Sequence, residues 1–422
     1  MTDCPKLRPV EATPVPGRGL VQLRDPLGVA PEPIFVPAAV FSLVALFDGQ
    51  HTLRDIQVAH ARRTGELLMT DKLEKLAEQL DERLFLEGER SRQARVAAAE
   101  AYRALPHHAS LHAGRSYPDD PQALGELLDG LLHQAPSEND PPGPLRGLIA
   151  PHLDFDRGGA GYAAAYRVAQ TACAAEVRLR ACGACVEDAK PEVFVILGTA
   201  HVGEGSYILT DKSFETPLGL APADAVSLAR LRARWGEQGD HADRAAEWEL
   251  IHKTEHSIEF QVIWLQHVFA DRDFAIIPVL CGGFGAHLAA GRSPQADAAV
   301  ATFSAALAEL IADLGDRVCV IASADLAHVG PQFGGREPMA AGSLALVRAR
   351  DGELLEACAR GDPEAFFGQI AAEGDARNIC GLPPIYTLLA ALRPEEGRLL
   401  HYGQALVPGS PSAVTYAAMA LY

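Results

Sequence analysis

Apolar positions along this chain fall into two regimes. Within the first hundred residues they recur at helical spacing. Beyond residue 145 they gather into short unbroken runs: Leu148-Ile149-Ala150, Val193-Phe194-Val195-Ile196-Leu197, Phe274-Ala275-Ile276-Ile277-Pro278-Val279-Leu280 and Val318-Cys319-Val320-Ile321-Ala322. Runs of this length that stop at Gly, Pro or Ser predict buried strands of the parallel type. Helical periodicity separates them at Ala160–Ala175 and Ala299–Leu314. The alternation predicts an α/β fold with a mixed central sheet and flanking helices. Open α/β sheets bind ligands beyond the carboxyl ends of their strands. The first run delivers His152 to that edge, the second His201, and the last Asp325 and His328.

The N-terminal pattern is different. Residues 1–35 contain seven prolines and little periodicity, which predicts an extended or strand-like start. Val36–Phe47 is apolar at helical spacing and stops at the turn signal Asp48-Gly49. Thr52 and Asp55 have capping-box spacing and open a helix through Arg63. Thr70 is read as the cap of a third helix, with Leu73, Leu76 and Leu80 on one face. Leu84–Glu89 reads as a short strand and turn, and Ser91–Ala104 as a helix ending at the Leu105-Pro106 boundary. Three small helices followed by a ribbon predict a winged-helix unit over 1–105, with the α/β domain over 106–422.

Composition narrows the function. The formal net charge is −18, yet residues 1–100 hold 13 Lys/Arg against 15 Asp/Glu, which leaves −16 to the remainder. Neither region has the basic stripe that tracks nucleic-acid phosphates. No run approaches the roughly 18 consecutive apolar residues of a membrane span, and the first residues lack the signal-peptide pattern. The expectation is a cytoplasmic protein whose eight cysteines are thiols. Cys182-Gly183-Ala184-Cys185 is a CxxC, but with no second CxxC and Arg178 and Arg180 beside it, it reads as a peripheral loop.

Taken in order, the motifs are Ala113-Gly114-Arg115-Ser116-Tyr117-Pro118, Ala150-Pro151-His152, Gly198-Thr199-Ala200-His201, Glu255-His256-Ser257-Ile258-Glu259-Phe260-Gln261, Ser323-Ala324-Asp325-Leu326-Ala327-His328-Val329-Gly330, Ile379-Cys380-Gly381 and Val414-Thr415-Tyr416. Together they resemble the Memo family, called system protein B of the AmmeMemoRadiSam set in microbes. The Memo fold in turn resembles the class III extradiol dioxygenases, which hold non-haem iron with two histidines and a carboxylate. In the first unit, Phe47-Asp48-Gly49-Gln50-His51-Thr52-Leu53-Arg54-Asp55-Ile56 resembles the PqqD-like peptide-recognition domains associated with radical SAM maturases. The usual APHAGY of the family becomes Ala150-Pro151-His152-Leu153-Asp154-Phe155, a change expected to bear on substrate more than on metal.

The resemblance implies a metal site of His152, His201 and Cys380, with His256, Asp325 and His328 lining the same pocket. Imidazole and thiolate suit iron or copper, with zinc a third choice, and three protein ligands leave positions open. Asp325 and His328, on a loop or helix start, are expected to orient a ligand or move a proton. His252, four residues before His256, is read as a solvated helix start. Glu255 and Glu259 are read as charges that stabilise the first turn after His256. The resemblance also implies a radical SAM protein and an AMMECR-type protein as partners, and a peptide for the PqqD-like unit. Two functions are expected on these grounds: a mononuclear redox metalloprotein, or a non-catalytic module that binds peptide or protein in the same cleft.

Overall fold

A computed structural model describes residues 4–15, 17–135, 142–181, 192–203, 205–236 and 247–422; Cys182 and Cys185 lie outside them. The chain divides into two units, Met1–Leu105 with Ala246–Thr254, and Pro106–Ala245 with Glu255–Tyr422.

The first unit opens with a three-stranded antiparallel sheet of β1 (Glu11–Val15), β2 (Leu20–Arg24) and β3 (Ile34–Pro37). Val36 and Pro37 belong to β3, so the helix expected from Val36 spans only Ala38–Val44. Thr52 and Asp55 form the expected capping box at the start of helix Leu53–Thr64. Thr70 is not a cap: Met69 is the N-cap of helix Thr70–Glu82, and the Thr70 hydroxyl accepts the Gln57 amide (2.9 Å). Leu73 and Leu80 are buried on the face the periodicity assigned. Leu84–Glu89 forms no strand. Leu84 takes φ +66° and the Phe85 N–H closes back onto the Leu80 carbonyl (2.8 Å), so the chain ends a helix there. Leu86 keeps a single antiparallel bridge to Leu7, and the next helix starts at Glu89. The sheet of this unit therefore precedes its helices. Its second, smaller cluster seats Leu250 on Val29, Ala99 and Tyr102. His252 sits in the same segment, in the 3-10 turn Leu250–Lys253, and is 1% exposed, not solvated. Its neighbours Leu250 and Ile251 are buried with it.

The second unit carries β4 (His107–Ala109), β5 (Gly147–Ala150), β6 (Val193–Thr199), β7 (Tyr207–Leu209), β8 (Ser213–Thr216), β9 (Gly219–Ala221), β10 (Ala275–Cys281), β11 (Val318–Ser323), β12 (Asp325–Val329), β13 (Gly397–Leu406) and β14 (Ala413–Leu421). β4, β8 and β9 form a small sheet. The large sheet has the order β12-β14-β5-β11-β6-β10-β7, with β13 on the other side of β14. β5, β11, β6 and β10 are parallel; β7, β12, β13 and β14 run antiparallel to their neighbours. The sheet is thus mixed. Every residue of β5, β6, β11 and β14 is buried, as strands covered on both faces must be. Each fully buried Leu, Ile or Val there contributes roughly 1.5–3 kcal/mol.

Helix Ser257–Val268 lies against this sheet, buried at nearly every position. It approaches β6 so closely that a Cβ on Gly198 would stand 2.6 Å from Ser257 Oγ. Helix Ala298–Leu314, extended by the turn Gly315–Arg317, has the length and apolarity to cross a membrane. Here it buries Val300, Phe303, Leu307, Leu310 and Ile311 in the core cluster instead. Strand register fixes where the loops emerge. Ser323 pairs with Ala150 on one side and Gly198 on the other, so the carboxyl ends of β5, β11 and β6 stand level.

Candidate metal centre

Two residues beyond the end of β5 stands His152. Its backbone N–H donates to Asp325 Oδ1 (3.1 Å), and its Nδ1 lies 3.1 Å from the Ser323 carbonyl. A carbonyl only accepts, so Nδ1 carries the proton and Nε2 keeps its lone pair. That Nε2 is 3.3 Å from Cys380 Sγ and 3.5 Å from Asp325 Oδ2.

His201 stands two residues beyond β6. One buried carboxylate, Glu255, accepts its backbone N–H (3.1 Å) and holds its Nδ1 at 3.0 and 3.2 Å. The same Glu255 accepts the N–H groups of His256 (2.8 Å) and Ser257 (3.0 Å), and lies 3.2 Å from His256 Nδ1. It therefore caps helix Ser257–Val268 and fixes the His201 imidazole, with the His256 ring beside it. With Nδ1 of His201 so occupied, its Nε2 is the nitrogen left to bind.

The three rings form a near-equilateral triangle, with centroids 5.0, 5.1 and 5.4 Å apart. His152, His201 and His256 offer nitrogens within 4.8 Å of one another, a group that can hold a metal ion. Bonds of about 2.0–2.1 Å place such nitrogens about 3–3.5 Å apart, within reach of small side-chain shifts. The donor set fits a metal: three converging imidazoles, the His152 and His201 tautomers anchored through Nδ1, and a thiol beside them.

Cys380 precedes helix Leu382–Leu392; its Sγ lies 3.3 Å from His152 Nε2 and donates to the Asp325 carbonyl (3.8 Å). Gly381 lets its loop come this close, since a Cβ there would stand 2.4 Å from the Asp325 carbonyl, which accepts the Gly381 N–H (3.1 Å). Asp325 and His328 lie in β12, paired antiparallel to β14, not on a loop or helix start. Asp325 is buried behind His152; His328 sets its Nδ1 3.2 Å from the Leu326 carbonyl and its ring edge-on to Phe333. His152, His201 and His256 thus converge; Cys380 stands outside that group, against His152, with Asp325 in contact with His152 and His328 on the cavity wall.

Burial and neighbours split the electrostatics. Burial, helped by His201, pushes His152 down to about 3. Burial likewise takes His256 down to about 3 against the pull of Glu255. In His201 burial opposes charging too, but Glu255 and Cys380 outweigh it and raise the imidazole well above its ordinary value. Burial lifts Asp325 to about 6, partly offset by His328 and the His152 N–H. Burial also raises the Cys380 thiol, which His201 counters.

The triangle opens into a cavity of about 500 Å³, whose wall includes His112, Ser116, Arg157, Phe260, Phe333 and Val414. These wall residues escape sequence reasoning, as does the role of Glu255; the one signal was position, His112 just before Ala113-Gly114 and Glu255 beside His256. Glu259 stands in the first turn, as expected, and has a further role. Fully buried, it accepts the N–H groups of Leu111 (3.0 Å) and His112 (3.1 Å) and the Tyr117 hydroxyl, tying the segment that carries His112 to helix Ser257–Val268.

Fold and site together define an α/β protein with a histidine-lined, metal-compatible pocket at the carboxyl edge of its parallel strands. Residues 108–420 match the model of the Memo-like proteins, and the chain belongs to the Memo family. A MEMO1 family protein of Aquifex aeolicus is 24% identical over 422 residues, 99% of this chain and all of its own length. Another, from Thermus thermophilus, is 27% identical over 370 residues, covering 86% of this chain and 97% of its own. A third, from Pyrococcus furiosus, is 30% identical over 302 residues, 69% of this chain and 89% of its own.

Proposed function

We propose that this Memo protein is a mononuclear metalloprotein, redox-active with iron or copper, acting on a small or peptidyl substrate in the cavity beside the histidine triangle. The observation that carries the reading is the convergence of three imidazoles whose nitrogens lie within 4.8 Å of one another, with Nδ1 of His152 held by a carbonyl and Nδ1 of His201 by Glu255. His152, His201 and Cys380 would hold the ion, with His256 the alternative third donor. The ion would supply Lewis acidity and one-electron chemistry. Asp325 holds the His152 backbone in place, and in the metal-free chain burial lifts its carboxyl to about 6. His328 presents an exchangeable proton on the cavity wall. Phe260, Phe333 and Val414 exclude water from one side of the space. The proposed partners, a radical SAM protein and an AMMECR-type protein, rest on family membership alone.

Metal analysis of the purified full chain, after anaerobic exposure to Fe(II) or Cu(I) and removal of loose ions, tests the reading. One ion per chain is expected, lost in His152→Ala and His201→Ala. A chain that retains neither metal in stoichiometric amount overturns it and leaves the cleft as a peptide- or protein-binding surface.

A further inference from the structure

The loop that brings Cys380 to the histidines is held in an unusual way. Two of its residues, Asp375 (φ 51°) and Asn378 (φ 50°), adopt left-handed backbone without being glycine. Asp and Asn are the non-glycine residues that take this conformation most readily, because their short polar side chains can bond locally. Local bonds hold the loop: the Ile379 N–H donates to Asp375 Oδ1 (2.8 Å) and the Asn378 N–H to the Asp375 carbonyl (2.9 Å).

A second hold comes from a side chain that touches neither the cavity nor the histidines. Asp351, in helix Ala341–Ala359, is fully buried. One of its oxygens takes the Arg377 guanidinium, which also pairs with Glu373 (2.7 Å). The other accepts the hydroxyls of Thr415 (2.6 Å) and Tyr402 (2.9 Å). Thr415 Oγ1 in turn accepts the Ala327 N–H of β12 (2.9 Å). From the loop side, the Arg377 carbonyl accepts the His328 N–H (2.7 Å), and the Asn378 amide donates to the His328 carbonyl (3.1 Å). Asp351 therefore grips both segments that face the triangle across from β5: β12 with Asp325 and His328, and the loop with Cys380.

A buried ion pair is a poor device for stability alone, since apolar side chains of equal volume often hold as well or better. What it adds is direction. Three donors converge on one carboxylate from three elements, and only one mutual placement of those elements satisfies all of them. We propose that Asp351 is a positioning residue, which through Arg377 and Thr415 sets the Cys380 sulfur at bonding distance from the histidine triangle. The proposal rests on the metal reading above for its purpose, though not for its geometry.

Two readouts on the full chain test it. In metal-free protein, the rate of iodoacetamide alkylation at Cys380, followed by peptide mass spectrometry, should rise about tenfold in Asp351→Asn, while buried Cys281 and Cys358 stay unreactive. In Co(II)-loaded protein, the thiolate-to-cobalt charge-transfer band, absent in Cys380→Ser, should fall by more than half in Asp351→Asn at unchanged cobalt stoichiometry. Arg377→Lys, which keeps the charge and loses the two-armed geometry, should give the same pattern if Asp351→Asn fails to fold. An unchanged alkylation rate in a folded variant overturns the proposal. Wild-type protein that takes up no cobalt, with alkylation still accelerated in Asp351→Asn, overturns the metal reading and leaves the positioning role standing.

Discussion

Two walls of the histidine triangle solve the same problem differently. On one, His152 is 2% exposed and is fixed by backbone groups and Asp325. On the other, His201, with a 36% exposed side chain, shares the buried Glu255 with His256. The first wall owes its neutral imidazole to desolvation. The second sets a charge against desolvation, and the outcome differs ring by ring: Glu255 raises His201 yet leaves His256 near 3. Burial makes a donor permanently available, whereas a carboxylate makes it adjustable.

Glu255→Gln should break the comparison most severely. It removes the acceptor of the His201 ring, the negative charge beside His256 and the cap of helix Ser257–Val268. We expect about a 100-fold loss of metal affinity by competition titration and about 2–3 kcal/mol of stability by denaturant melts. Unchanged affinity would mean that the second wall needs no carboxylate.

Acid stability of metal-free protein should separate the walls next. His152 and His256 have folded values near 3, below the ordinary value of about 6.5. Acid therefore protonates the unfolded chain first, and stability complete above about pH 6.5 is lost toward pH 3, by up to about 1.4 kcal/mol per pH unit for each ring. His201 acts in the opposite sense: its contribution is full below about pH 6.5 and disappears as pH rises through its raised folded value. His152→Gln should flatten the acid limb of the stability profile and His201→Gln the alkaline limb. Matching profiles for the two variants would erase the distinction.

Asp325→Asn and His328→Gln should leave metal stoichiometry intact, with affinity changed by less than about tenfold, while impairing any turnover found. Loss of metal in a folded variant would make either residue a ligand. The smallest effect should come from Tyr117→Phe. Its hydroxyl serves Glu259, not the triangle, so about 1 kcal/mol of stability is at stake and metal affinity should not move.

The strand-end histidines were legible because unbroken apolar runs mark buried parallel strands, and the direction of such strands decides where the next polar residue emerges. Thr52 and Asp55 were legible because a capping box is local. Contacts across the chain were not. Glu255 precedes His256 and so looks like a helix charge; its bond to His201 joins residues 54 positions apart. β12 is short, with Asp325 and His328 among its five residues, and only pairing with β14 makes it a strand. The N-terminal stretch was legible as extended or strand-like chain, but its pairing into a sheet was not, because prolines interrupt it and β1 is almost wholly exposed, with no alternation of burial. Leu84 escaped because nothing in a leucine announces a left-handed backbone.

The membership of Ala246–Thr254 in the first unit has a consequence for biosynthesis. A ribosome delivers Val29, Ala99 and Tyr102 early, but Leu250, which they enclose, only about 150 residues after the unit's first stretch ends. At about 5–20 residues per second, that interval lasts roughly 7–30 s. For that time the nascent first unit carries an apolar socket open to water, and its folding cannot finish before most of the strands of the second unit have left the ribosome.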